Sequence, residues 1–274
     1  MKKNAFLVAS AVVCASASLF ADNVQGDNVF GVLPVLSKAE DTIVAVPWCA
    51  CSAADDQPIA ISNIVKTANL TADDMVYVLE GSSSATAYKA WELKDSGGVL
   101  YWVSVENEGS GGSGSSPAAD TATAKRGTAI RLHRQNPTDG EGNAKPFYLF
   151  GQVGTLSTIT TDIEPGSSES PAYTLIAPPG ASDVNLLLNN QLTNCSNGDE
   201  IVVRGANGVN KGYFYDGGWK YVTRRFDYGQ ETVTTNAAEE GITLQAGLGA
   251  WYISRGSAPT LTWKNVTTKS MTNE

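Results

Sequence analysis

The sequence predicts a mainly β chain: two tandem, duplicated small β-sandwich or partly open β-barrel domains, each with one short helix. Three observations carry that expectation. Short β-prone runs alternate with Gly-, Asp- and Ser-rich turns through residues 28–266. Long runs of helical periodicity are absent. And Ile61–Val78 is echoed in Ser182–Arg204, so one small unit is written twice. In the first copy Ile61, Ile64, Val65 and Ala68 fall at helical spacing, Asp73-Asp74 turns the chain, and Met75–Val78 is a strand. In the second, Val184, Leu187, Leu188 and Leu192 repeat the stripe, Gly198-Asp199-Glu200 makes the turn, and Ile201–Val203 is the strand.

At the N-terminus Lys2 and Lys3 precede the apolar, small-residue run Ala5–Phe20, with Leu19-Phe20-Ala21 or Ala15-Ser16-Ala17 as the cleavage site. Residues 1–21 are therefore expected to be a signal peptide. The run is shorter than the roughly 20 residues that span a bilayer. Val13 is too bulky to stand ahead of a lipidated Cys14. Loss of Lys2 and Lys3 takes the formal charge from −9 to −11, an acidic balance that disfavours nucleic acid and anionic lipid as partners. No other stretch reaches transmembrane length. The expected location is secreted, at the outer surface or in the medium, with the periplasm as the alternative.

The mature chain opens on Asn28–Leu36, an apolar strand broken by Gly31 and Pro34, a pattern tolerated at a sheet edge. Thr42–Pro47 is a second short run. Beyond the first helix and strand, Tyr88–Leu93 and Val99–Val105 flank an Asp-Ser-Gly-Gly turn, and Glu108–Pro117 is a glycine–serine tether. Thr128–Arg134 and Pro146–Val153 read as a hairpin around the loop 135–145. The second half repeats this order. Tyr173–Ala177 matches Thr42–Val46, Gly212–Tyr215 and Trp219–Arg224 flank Asp216-Gly217-Gly218, and Gly249–Arg255 parallels Gly127–Arg134. Pro259–Asn265 parallels Pro146–Gln152, with Trp263 in the place of Phe150. The expected organisation is a signal peptide at 1–21, a first β-rich repeat at 22–156, a linker at 157–170, a second repeat at 171–267 and a polar tail at 268–274.

Chemistry is hard to assemble from these residues. His133, the one histidine, alternates with Ile130 and Leu132 and reads as a solvent-facing strand residue, with Ser254 in the same place of the second half. Asp73-Asp74 and Asp199-Glu200 recur at one turn in both halves, which favours turn capping over paired acid–base work. The loop Asp139–Asn143 spaces its oxygens like the start of a calcium loop, but Ala144 and Phe150 stand where the turn glycine and closing glutamate belong. No catalytic, metal or cofactor residue is assigned. Cys49, Cys51 and Cys195 remain after signal removal, and a link from Cys49 or Cys51 to Cys195 would staple the halves. Trp48 and Trp91 lack aromatic counterparts in the other half, which makes them the candidates for ligand-facing aromatics. Phe30, Val32 and Leu33 are the candidates for self-association through a β-edge.

The expected function is that of an exported, non-catalytic structural or adhesive protein of a bacterial cell surface, not an enzyme. A carbohydrate-binding module using exposed Trp or Tyr is the alternative, and an extracellular hydrolase ranks third. Self-association and surface glycan are the partners considered. Intact-mass measurement of exported material should place the mature N-terminus near Asp22; material that keeps Met1 would refute the signal peptide.

Overall fold

The computed structural model describes residues 30–48, 57–61, 70–79, 88–105, 123–152, 156, 158–227, 230–238, 240–257 and 259–264, with backbone alone at 30, 152, 223–227 and 230–233. The signal segment, the first expected helix, Cys49, Cys51 and the glycine tether lie outside the described residues. The first half runs β1 (Phe30–Leu36), β2 (Asp41–Ala45), β3 (Ile59–Ala60), β4 (Met75–Leu79) and β5 (Tyr88–Ser96), then β6 (Val99–Ser104), β7 (Thr123–Ala124), β8 (Ala129–His133) and β9 (Pro146–Gln152). The second runs β10 (Thr158–Asp162), β11 (Ala172–Ile176), β12 (Val184–Asn185), β13 (Leu192–Thr193), β14 (Glu200–Arg204) and β15 (Asn210–Tyr215). It ends with β16 (Trp219–Asp227), β17 (Gln230–Ala237), β18 (Thr243–Leu244), β19 (Ala250–Ser254) and β20 (Thr260–Lys264). The fold is mainly β, with several sheets, none closed. Among the described residues no helix is long and apolar enough to cross a membrane.

The first half pairs in the order β2-β8-β4-β5-β6, with β3-β7 and β1-β9 as two-stranded sheets. The second pairs β11-β19-β14-β15-β16-β17, β12-β18 and β10-β20-β13. Strand for strand the second order repeats the first, with β17 and β13 added at edges. Local hairpins follow turn chemistry. Gly97 and Gly98, at φ 66° and 85°, supply the two left-handed residues that join β5 to β6. The expected β8–β9 hairpin does not form: β8 lies between β2 and β4, and β9 pairs with β1. The segment expected as a linker contains β10, which pairs with β20 and buries Ile159, Thr161 and Ile163.

The second expected helix is also replaced. Val184–Asn185 bridges β18 instead, and only a 3-10 turn forms at Leu188–Asn190. The Asn185 side chain accepts a hydrogen bond from the Leu187 N–H, and Asn189 and Asn190 adopt φ 58° and 51°. Asparagine tolerates that left-handed geometry, which an α-helix cannot contain. Leu186, outside the helical stripe, is fully buried, whereas Leu188, within it, is exposed.

Each half has its own core. Val44, Val76, Leu93, Ile130, Leu132, Phe147 and Leu149 meet in the first; Ile176, Ile201, Tyr252, Leu261 and Trp263 in the second. The core-facing phase of β9 thus belongs to Phe147 and Leu149, and half-buried Phe150 points away from the phase Trp263 occupies in β20. A third cluster, Ile43, Ala45, Ala129, Leu175 and Ala177, lies where the two large sheets meet. This explains the continuous apolar run of β2: Val44 fills its own core while Ile43 and Ala45 fill the shared one.

The meeting is reciprocal. The Ala45 N–H donates to the Gly247 carbonyl at 3.0 Å, and the Ala177 N–H donates to the Gly127 carbonyl at 3.2 Å. Val44 bridges Leu248, and Ile176 bridges Thr128. Such an approach leaves no room for side chains. A Cβ on Gly249 would sit 2.7 Å from the Ala129 Cβ and 2.8 Å from the Ile176 carbonyl oxygen. Gly249→Val should therefore cost about 1–3 kcal/mol by overpacking, read as a lowered denaturation midpoint. An unchanged midpoint would show that the halves can part without loss.

Candidate functional site

Where the two large sheets diverge from their shared cluster they leave a cleft of about 290 Å³. It is built mostly from the outward phase of strands whose inward phase makes the cores. In β8, Ile130 and Leu132 point in and Arg131 and His133 point out. Asp41 of β2 lies opposite His133 in register. Its Oδ1 accepts from Arg131 Nε at 2.9 Å and Nη2 at 2.8 Å, and lies 3.2 Å from His133 Nδ1. Burial pushes the Asp41 carboxyl up, but the bonds and charge of Arg131, with His133, outweigh it and hold the pKa below 3.8. His133 is thus part of a half-buried cluster rather than free on the surface. Its register counterpart is Ile253, opposite Glu200, so Ser254 does not stand in its place.

Aromatic rings wall the cleft. Arg131 lies 5.0 Å from the Tyr77 ring and 5.8 Å from the Tyr88 ring, within cation–π range. Edge contacts link Tyr77 to Tyr88, Tyr88 to Trp251 and Trp251 to Tyr173, carrying a ring ladder from one half to the other. Burial pushes the Tyr88 hydroxyl up to about 12, so it stays protonated at neutral pH. Arg204 and Asn210, paired at the turn end of the β14–β15 hairpin, complete the rim. Arg204 Nε is buried with no hydrogen-bond partner. The arrangement can bind and orient a polar ligand. His133 contacts the Asp41 carboxylate in this cluster.

The aromatics singled out in the sequence lie elsewhere. Trp48 and Trp91 are each 7% exposed and belong to the first core; Trp48 Nε1 donates to the Leu149 carbonyl at 3.2 Å. Neither ring presents a ligand-facing surface. Lack of an aromatic counterpart marked a difference between the cores, not exposure. Tyr88 and Trp251 take the outward positions, a distinction that depends on strand phase.

Cys195 is a half-buried thiol, free among the described residues; Cys49 and Cys51, its expected partners in a staple, lie outside them. Burial pushes that thiol up, which weakens it as a nucleophile. In the Asp139 loop the carboxylate is occupied by the Glu141 and Asn143 N–H groups, at 2.9 and 2.8 Å. No group of three or more His, Cys, Asp or Glu residues placed to hold a metal occurs among the described residues.

In the recurring acidic turns Asp74 and Asp199 are buried while Asp73 is exposed, and the capping role of the buried pair is concrete. Asp74 accepts from the Thr71 and Gln135 N–H groups; Asp199 accepts from those of Ser196 and Arg255 and from the Tyr252 hydroxyl. Asp73 and Gly198 take the same left-handed turn position, at φ 73° and 93°. Each carboxylate ties its turn to the end of the neighbouring strand. The sequence also gave no sign of Arg134, which is 1% exposed and donates to the carbonyls of Ser37 and Lys145.

No family model, no curated protein and no solved structure matches this chain.

Replacing Asp74 or Asp199 by Ala should cost about 1–3 kcal/mol each, because buried N–H donors lose their acceptor; a change below about 0.5 kcal/mol in denaturant titration would refute that role. Asp41 has a distinct pH signature. Its folded pKa is depressed, so its contribution is present above pH 3.8 and is lost as pH falls through the lower folded value. Asp41→Asn should flatten the acid limb of the stability–pH curve in that window; an unchanged limb would exclude the pairing.

Proposed function

We propose that this is an exported, non-catalytic structural or adhesive protein of a bacterial cell surface, built from two copies of one β unit. The observation that carries the reading is the strand order that recurs in both halves. Nine strands of the first half have counterparts in the second, in the same pairing, and the second copy begins at β10. Reciprocal hydrogen bonds and a shared apolar cluster join the copies face to face. Such a body buries backbone polar groups in sheets and resists local opening, which suits a protein that must last outside the cell.

Self-association through β1 belongs to this reading. Within the chain β1 pairs along its length with β9, and half-buried Leu33 packs against the first core while Val32 is 56% exposed. The Phe30 side chain lies outside the described residues. β1 pairs with no second strand among those described, so one edge is open to another chain.

A glycan-binding role is the second reading, and the cleft favours it. Tyr and Trp rings beside Asp, Asn and Arg side chains at the junction of two β units are the side-chain types that hold sugars, apolar face to ring and hydroxyls to polar groups.

Surface protease accessibility on intact producing cells, followed by sedimentation of the purified mature chain, tests the first reading. The expected result is protein exposed outside the cell that sediments above monomer mass, with Val32→Lys shifting it to monomer while the fold persists. Protein confined to the cytoplasm would sink the export reading; a monomer at all concentrations would sink assembly through β1.

A further inference from the structure

Arg204 is the feature that a purely structural role leaves unexplained. It ends β14 on the rim of the inter-half cleft, and no hydrogen bond or ion pair engages its side chain among the described residues. Arg204 is half-buried, and its Nε–H is kept from water without an acceptor, which is destabilising; a ligand oxygen would relieve it. Across the cleft, Arg131 is already neutralised by Asp41. All contacts to that carboxylate converge on Oδ1, which leaves Oδ2 free to accept from a ligand hydroxyl. Asn210, exposed at the mouth, offers both a donor and an acceptor. Tyr88 and Trp251 supply apolar surface between these polar points.

The size and charge of the cleft narrow the ligand. At about 290 Å³ it lies at the small end of ligand pockets, which run roughly 300–1,000 Å³, and this limits the occupant to about one sugar ring. One unpaired guanidinium calls for one negative charge. A phosphate dianion would meet the Asp41 carboxylate and a chain of formal charge −9. A neutral sugar would leave Arg204 unpaired. A ring that carries a single carboxylate satisfies each group.

Resting on the glycan-binding reading, we infer that the cleft binds a uronate: a monosaccharide unit whose carboxylate pairs with Arg204, whose hydroxyls meet Asp41 Oδ2 and Asn210, and whose apolar face lies against Tyr88 and Trp251. Guanidinium–carboxylate pairing supplies the selectivity, since it is charge-assisted and planar. The rings and hydroxyl partners supply recognition of a sugar as distinct from any small acid.

Calorimetric titration of the full chain with glucuronate, glucose and acetate tests this. Glucuronate should bind, with glucose and acetate each weaker by roughly tenfold or more. Arg204→Gln should weaken glucuronate by roughly tenfold or more without lowering the thermal transition, because the lost charge had no partner in the protein. Asn210→Ala, at an exposed position, should weaken glucuronate and glucose alike. Glucuronate binding unaffected by Arg204→Gln, or no tighter than acetate, would overturn the uronate site. Glucose binding as tightly as glucuronate would overturn it and leave the glycan reading standing, whereas no response to any sugar on a glycan array would remove both.

Discussion

The structure depends on a reciprocal pair of backbone hydrogen bonds between its halves, from Ala45 to Gly247 and from Ala177 to Gly127, with Gly249 to Ile43 and Lys38 to Ala206 crossing beside them. In the reciprocal pair both accepting residues are left-handed glycines, at φ 78° and 85°, just ahead of β19 and β8. The strand that follows each glycine is central in its own sheet, so the crossing fixes both large sheets at once. The Gly127 carbonyl also accepts from the Thr161 hydroxyl, which in turn accepts from Trp263 Nε1. A single backbone oxygen thus connects the junction to the core of the second half. Buried carbonyls need such partners, and here the partners are supplied by the opposite half.

That constraint explains the small residues at the junction. Ala45, Ala129, Ala177 and Gly249 surround the point of closest approach, with Ile43 and Leu175 filling the space beyond it. Where the sheets have separated, the facing side chains include Arg131, Tyr88, Trp251 and Arg204. The cleft is therefore a geometric consequence of packing two twisted sheets at one end only. Asp41, Arg131 and Arg204 lie outside the apolar clusters, which is why they can carry charge, while Tyr88 and Trp251 pack against the shared one.

Polar burial elsewhere serves the same end. Asp74 and Asp199 fasten the turns before β4 and β14 to Gln135, just beyond β8, and Arg255, just beyond β19. Arg134 gathers carbonyls from the loops beside β1 and β9, with its guanidinium 5.0 Å from the Phe147 ring. In both cases a charged side chain substitutes for strand pairing where the chain leaves a sheet. The cost of burying the charge is offset by several hydrogen bonds to groups that would otherwise go without.

What the sequence by itself determined is local or periodic. Gly97-Gly98 set the β5–β6 turn, Asp216-Gly217-Gly218 set the β15–β16 turn, and the β-rich character of nearly every named run is visible in residue type. Only the tertiary structure decided which strands pair at a distance, placing β9 on β1 and β8 between β2 and β4. It also decided that Val184–Leu192 would not be a helix, since a partner strand and asparagine side chains satisfied the backbone another way. The candidate site was the least legible part. Asp41, Arg131, Arg204 and Trp251 come from four strands of two sheets, and nothing local distinguishes them from solvated strand residues. Trp48 and Trp91 were misplaced for the same reason: residue type does not tell which face of a strand is covered. Burial is a property of what packs on a strand, and here that is decided by segments about one hundred residues away.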